Sequence, residues 1–333
     1  MKNYIVFDLE WNQCARGKAE SIEDFPFEII EIGAVRLDEQ CRVADEFHKL
    51  IRPREYTTMH YMISEVTHMK MKELRHDGER FEDAVRAFFD WCGEDCVFCT
   101  WGSMDLTELQ RNLKHFQVPN PFPRPLFYYD VQKLYGLCYK DGAKPSLDGA
   151  VEELGLLEER PFHRALDDAY YTGRVLARMY EEQDWERLLS YCSIDYYRLP
   201  ETKEEEISIV FPNYSKYVSR IFPNREAALQ ERTVTKMNCY VCGRSLRKKV
   251  RWFSPNQRIY YALAVCPEHG FLKGKLRVKK VDEERVYIIK TLKLTDEEGM
   301  AKISSRLEDL RIRRAERNRA KRRRSRHGDG EQK

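Results

Sequence analysis

Apolar positions divide the chain into two textures. In the first 182 residues, short uniform apolar runs alternate with stretches of helical spacing. Residues 4–7 form a β-prone run ending in acids, the pattern of a central strand that presents carboxylates at its C-terminal end. Residues 27–37 and 45–51 predict two more strands, the second closed by Arg52-Pro53. Over 81–92, Phe81, Val85, Phe88 and Phe89 fall on one helical face. Residues 97–101 predict a strand closed by Gly102, 105–116 a helix with Leu106, Leu109 and Leu113 in one stripe, and 126–131 another strand. Ser146 opens a helix that stops at Gly155, and Leu166, Ala169, Gly173, Leu176 and Tyr180 mark a further one. Three early strands followed by alternating helices and strands predict an α/β fold, a mixed sheet flanked by helices.

Beyond Gln183 the pattern changes. Residues 183–232 are charged and aromatic, with Pro200, Pro212 and Pro223, and read as an irregular, partly helical connector. Residues 233–295 are β-rich with interleaved Lys and Arg, including a hairpin around Ser254-Pro255-Asn256-Gln257. Residues 296–333 begin as a helix and end as a basic, disordered tail. The expected organisation is therefore a 1–182 domain, a connector, a small β domain and a helical tail.

Apolar residues make up 42% of the 333-residue chain, enough for packed cores. The net charge of +3 conceals an asymmetry, because 311–326 holds ten Lys or Arg and one acid. A mildly acidic body with a basic end points to a polyanionic partner. No secretory signal opens the chain, and no apolar run approaches the ~20 residues that span a bilayer. These features predict a cytoplasmic protein with reduced thiols and no membrane partner. They leave its oligomeric state open.

Within this frame, three acidic signatures carry candidate chemistry. Asp8 and Glu10 share one face of a strand, where paired carboxylates hold hard cations. Asp105 follows Gly102 at a strand-to-helix junction. His163 and Asp168 are five apart and would not share a helical face. They converge if His163 lies in the loop after Pro161 and Asp168 in the helix that follows, and a loop histidine suits a general base.

Asp8-x-Glu10, Asp105 and His163-x4-Asp168 resemble the motifs of the DnaQ-like, DEDDh-type 3′–5′ exonucleases over residues 1–182. The segments 27–33, 47–53 and 66–68, together with Thr100-Trp101-Gly102, resemble the ERI/KapD-type exoribonuclease branch. The resemblance implies a ribonuclease H-like fold, single-stranded nucleic acid as partner with RNA favoured, and two Mg²⁺ or Mn²⁺ held by Asp8, Glu10, Asp105 and Asp168. It also implies His163 as the base and Leu9, Trp11, Asn12, Trp101 and Arg164 at the substrate. Arg164 stands where a variant of the family carries Tyr, which excludes that variant. Trp11 and Asn12 replace the small residue or Thr usual after the first motif, so that Trp11 either stacks on the last base or narrows the pocket, and the terminal-nucleotide preference stays open. Two other readings compete. One is a DNA 3′–5′ exonuclease of repair or defence, the other an idle nucleic-acid-binding protein.

Cys239-x2-Cys242 and Cys266-x2-His269 are each followed by glycine, and the spacing resembles a zinc ribbon. Four protein ligands predict one structural Zn²⁺ with no open position for catalysis. Cys92, Cys96 and Cys99 read as core residues, and Cys14 as a free thiol. Lys273, Lys275, Arg277 and Lys279 line one strand face, with Trp252, Phe253, Tyr260 and Tyr261 nearby, a combination suited to a single strand.

Overall fold

The structure is a computed structural model that describes residues 3–157 and 160–328. The chain forms two compact units, Met1–Arg198 and Leu199–Lys333.

The first unit is built on a mixed sheet. Its strands are β1 (Asn3–Gln13), β2 (Phe27–Leu37), β3 (Val43–Leu50), β4 (Cys96–Thr100), β5 (Phe127–Asp130) and β6 (Ser193–Ile194), in the order β3-β2-β1-β4-β5-β6. β1, β2 and β3 pair antiparallel, β4 and β5 join in parallel, and β6 closes the edge antiparallel. Helices α1 (Tyr61–Thr67), α2 (Met71–Asp77) and α3 (Phe81–Cys92) occupy the β3–β4 connection, and α4 (Met104–His115) links β4 to β5. Four more follow: α5 (Val131–Tyr139), α6 (Leu147–Glu153), α7 (Ala165–Glu182) and α8 (Trp185–Leu189). This is the ribonuclease H-like mixed sheet that the resemblance implied.

Alternation along β1 supplies both cores. Ile5, Phe7 and Leu9 face the cluster made with α3 and α4, while Tyr4 and Val6 face the cluster made with α5 and α7. Each fully buried Phe or Ile contributes about 2 kcal/mol through removal from water. The strand extends six residues beyond the expected 4–7, because Asp8 and Glu10 continue the ladder opposite Gly33 and Glu31. α7 crosses β2 at Gly33 and Gly173. A Cβ on Gly33 would overlap the backbone of Ala165 and Leu166, so only glycine allows this approach.

The second unit holds another six-stranded sheet, in the order β7-β8-β12-β11-β10-β9. Its strands are β7 (Ile207–Phe211), β8 (Tyr214–Val218), β9 (Lys248–Phe253), β10 (Ile259–Cys266), β11 (Gly270–Lys280) and β12 (Val286–Thr295). Short helices α9 (Arg225–Gln230) and α10 (Arg232–Thr235) pack on the inner face, and α11 (Glu297–Gly328) follows β12. Two expectations are corrected here. Residues 199–232 are not an irregular connector: they supply β7, β8, α9 and α10 to the second unit. The basic stretch expected to be disordered is helical to Gly328, and 329–333 lie outside the described residues. Among the described residues, no helix is long and apolar enough to cross a membrane.

Candidate active site

Three elements converge on one end of the first sheet. Asp8 and Glu10 continue the row of Tyr4 and Val6, so both face α7. Asp168 lies in the first turn of α7. Ligand oxygens of Asp8, Glu10 and Asp168 lie within 4.8 Å of one another. Asp105 enters from β4: Gly102, at φ 102°, turns the chain into α4, and Thr100 Oγ1 secures the turn by donating to the Gly102 carbonyl at 2.6 Å. The Asp105 side chain is buried and accepts the backbone N–H of Leu9. Asp167, the neighbour that could be confused with Asp168, lies 3.6 Å from the Arg160 guanidinium instead and is absent from the three-carboxylate cluster.

The electrostatics are those of crowded, desolvated acids. Burial, then Asp105, Asp168, Glu10 and Glu31, raise Asp8 well above the usual carboxylate range. Burial, then Asp168 and Glu31, push Glu10 up to about 8. Asp105 rises to about 7 by burial, opposed by its own N–H and that of Leu9. Asp168 rises to about 7 by burial, opposed by the N–H of His163. Oxygen donors at this spacing, with their negative charges mutually opposed, fit divalent cations of the Mg²⁺ or Mn²⁺ kind.

His163 sits in the loop before α7, exposed and at φ 67°. Its backbone N–H lies 3.3 Å from each carboxylate oxygen of Asp168. The peptide, rather than the imidazole, therefore meets the cluster.

Glu31 was not singled out from the sequence as a site residue. It is fully buried, opposite Glu10 in the ladder. It accepts from Arg164 Nη2 at 2.7 Å and from the Ala165 N–H at 3.1 Å, and it meets His48 Nε2 at 2.6 Å. Hydrogen bonding and charge outweigh its burial and hold its carboxyl below the usual value. An acid inside the otherwise apolar run Phe27-Glu28-Ile29-Ile30-Glu31-Ile32-Gly33 was the available signal, since a buried charge needs partners.

The residues expected at the substrate occupy different settings. Trp11 is half-buried, its ring 5.4 Å from that of Phe27. Trp101 is half-buried against Tyr135, and its buried indole N–H has no acceptor among the described residues. The Leu9 side chain belongs to the core. The Arg164 guanidinium is engaged by Glu31. Asn12 departs most from expectation. Its Nδ2 donates to the Tyr56 and Thr58 carbonyls at 2.8 and 3.0 Å, and its Oδ1 accepts from the His60 N–H at 3.0 Å. Asn12 is fully buried and clamps the 56–60 loop to β1, which leaves no free amide group for a substrate.

In the second unit, Cys239, Cys242, Cys266 and His269 place their ligand atoms within 4.8 Å of one another. Gly243 and Gly270, at φ 73° and 81°, turn the two knuckles. Burial opposes ionisation of Cys266, but hydrogen bonds from His269 and from the backbone bring its thiol down to about 6. A Cys₃His set with its four ligand atoms this close together fits zinc. Cys92 and Cys99 are buried in the two cores of the first unit, Cys96 is partly buried, and Cys14 is free.

Comparison with known proteins places this geometry. The exonuclease model of the RNase T family matches residues 5–176. The probable 3′-5′ exonuclease KapD of Bacillus subtilis is 29% identical over 167 residues, covering 50% of this chain and 78% of KapD. A DNA polymerase III PolC-type protein of Thermotoga petrophila is 32% identical over 157 residues, covering 46% of this chain and 11% of that protein. The ERI1 exoribonuclease 2 of Xenopus laevis is 25% identical over 203 residues, 53% of this chain and 28% of that one. The chain thus spans most of KapD but only a small part of the other two relatives. With a family match over more than half its length, the chain belongs to the RNase T family of exonucleases.

Proposed function

We propose that the chain is a metal-dependent 3′–5′ exonuclease acting on single-stranded nucleic acid, with RNA preferred. The observation that carries this reading is the convergence of Asp8, Glu10 and Asp168 within 4.8 Å, with Asp105 buried beside them. Asp8, Glu10 and Asp168 would hold the divalent cations, with Asp105 contributing through water or at a second position. Two Mg²⁺ or Mn²⁺ ions bound there would neutralise the attacking and leaving oxygens of the terminal phosphodiester. His163, on an exposed loop tied to Asp168 through its peptide, takes a proton from the attacking water. Trp11 offers a ring near the 3′-terminal base. Cys239, Cys242, Cys266 and His269 hold one structural Zn²⁺.

RNA is favoured by the motif likeness to the exoribonuclease branch and by the ERI1 relative. DNA as substrate has its own support in the PolC-type relative, the more identical of the two. RNA and DNA oligonucleotides labelled at the 5′ end and incubated with Mn²⁺ test the proposal. A ladder shortening from the 3′ end of RNA supports it, and a ladder on DNA alone moves the assignment to DNA. Release of the labelled 5′ nucleotide first, or no hydrolysis at all, overturns it.

A further inference from the structure

The second unit contains a groove of about 370 Å³ between the outer face of β10–β12 and α11. The strand register explains its charge. Lys273 on β11 lies opposite Lys293 on β12, Lys275 lies between Tyr261 and Thr291, and Arg277 continues the row. From α11, the Arg306 guanidinium lies 4.9 Å over the Tyr261 ring. Ile303 of α11 packs with Phe253 and Leu263, which fixes this wall of the groove.

Among the described residues, no acid lines the groove. Lys273, Lys275, Arg277, Lys293 and Arg306 pair with no carboxylate among the described residues. By contrast, Arg220, Arg225, Arg244 and Arg285 of the same unit each do, and of the groove's own cations Lys302 pairs with Glu298. Like charges placed directly opposite in a ladder are destabilising. Burial, together with Arg277 and Arg306, also weakens the hold of Lys275 on its proton. Folding alone gains nothing from such a cluster, whereas a polyanion would neutralise it.

Four rings near these cations in sequence are already engaged. Trp252 donates its indole N–H to the Thr235 carbonyl and packs inward, Tyr260 packs into the inner core, and Phe253 is buried. Tyr261 already carries Arg306. Recognition here is by charge. Cations two residues apart on β11 repeat every ~7 Å, on the order of the separation between successive phosphates of an extended strand.

We infer that the groove binds the phosphodiester backbone of single-stranded nucleic acid without reading its bases. None of the five nuclease residues lies in this unit. The ligand class rests on the exonuclease reading.

The test measures anisotropy of labelled U-tract and dT-tract strands with the full chain in Ca²⁺, under conditions without hydrolysis. Lys273→Gln/Lys275→Gln/Arg277→Gln should weaken binding of both strands about tenfold or more. It should also flatten the salt dependence by about 2 units of log–log slope, at ~0.7 for each phosphate no longer neutralised. Lys293→Gln/Arg306→Gln, on other elements, should act in the same direction. Arg247→Gln/Arg251→Gln/Arg258→Gln removes equal charge outside the groove and should change little. Loss confined to the U-tract limits the site to RNA. Unchanged affinity and slope in both groove variants overturn the inference, as does an equal loss in the control. Hydrolysis of a dinucleotide is measured separately: its absence in the wild type defeats the exonuclease reading, while its persistence in the groove variants is the expected result.

Discussion

Arg164 Nη2 lies 2.7 Å from Glu31 Oε1, and Glu31 stands directly opposite Glu10 in the β1–β2 ladder. The pair pins the residue between His163 and Ala165, and so fixes the loop entering α7. Replacing Glu31 by Gln leaves the partly exposed Arg164 guanidinium without its counter-charge, and losing a hydrogen bond between charged groups costs about 1.5–3 kcal/mol. Glu31→Gln should lower the melting temperature and reduce kcat by about tenfold, or ~1.4 kcal/mol in the barrier, with KM nearly unchanged. A variant that melts and turns over like the wild type would refute the positioning role.

The metal-free protein should lose stability as pH rises. Asp8, Glu10, Asp105 and Asp168 have folded pKa values above those of the unfolded chain. Below about pH 4 both states keep these protons. As pH climbs through about 7 to 8, the folded state releases them into mutual repulsion and the stabilisation disappears. Melting curves in EDTA should fall across this window, and Mn²⁺ should flatten the decline. Asp8→Asn should abolish hydrolysis while making the EDTA profile shallower. Identical profiles with and without Mn²⁺ would contradict cation binding at these acids.

His163→Ala should lower kcat by about 10²–10⁴-fold. Mn²⁺ affinity should survive, because the peptide N–H rather than the ring meets Asp168. A variant that keeps the wild-type kcat would exclude His163 as the base.

Chelation of zinc should lower the melting temperature of the second unit, and elemental analysis should find one zinc per chain. Cys242→Ser should lose the zinc and retain dinucleotide hydrolysis. Full zinc occupancy in that variant would remove Cys242 from the ligand set.

The sequence made the nuclease core legible wherever local pattern and burial agree. The long apolar run 27–37 is β2, and the stripe Leu106, Leu109 and Leu113 is the buried face of α4. The same logic ended β1 too early, because its acids remain in the ladder through Gln13. It also missed β7 and β8. Each is five residues long, the two are joined by the two-residue turn Pro212-Asn213, and β8 is anchored to β12, about 70 residues away, with β7 held at the edge by β8 alone. The carboxylates were recognisable from their spacing. Asn12 and Glu31 were not, because their partners at 56–60 and 164–165 come together only in the folded chain.

Gly33→Ala should destabilise the fold by about 3 kcal/mol or more, since backbone is not free to yield as a flexible side chain would. A melting temperature within error of the wild type would show that α7 can retreat at little cost.

At that crossing, β2 and α7 are separated by a hydrogen atom where every other residue would interpose a methyl group or more. The reach from Asp8 to Asp168 is thereby a property of main-chain geometry. Substitutions deep in either core can reshape the packing beneath the sheet without widening the jaws that grip the cations, so the interior is left free to drift while the spacing at the mouth stays put.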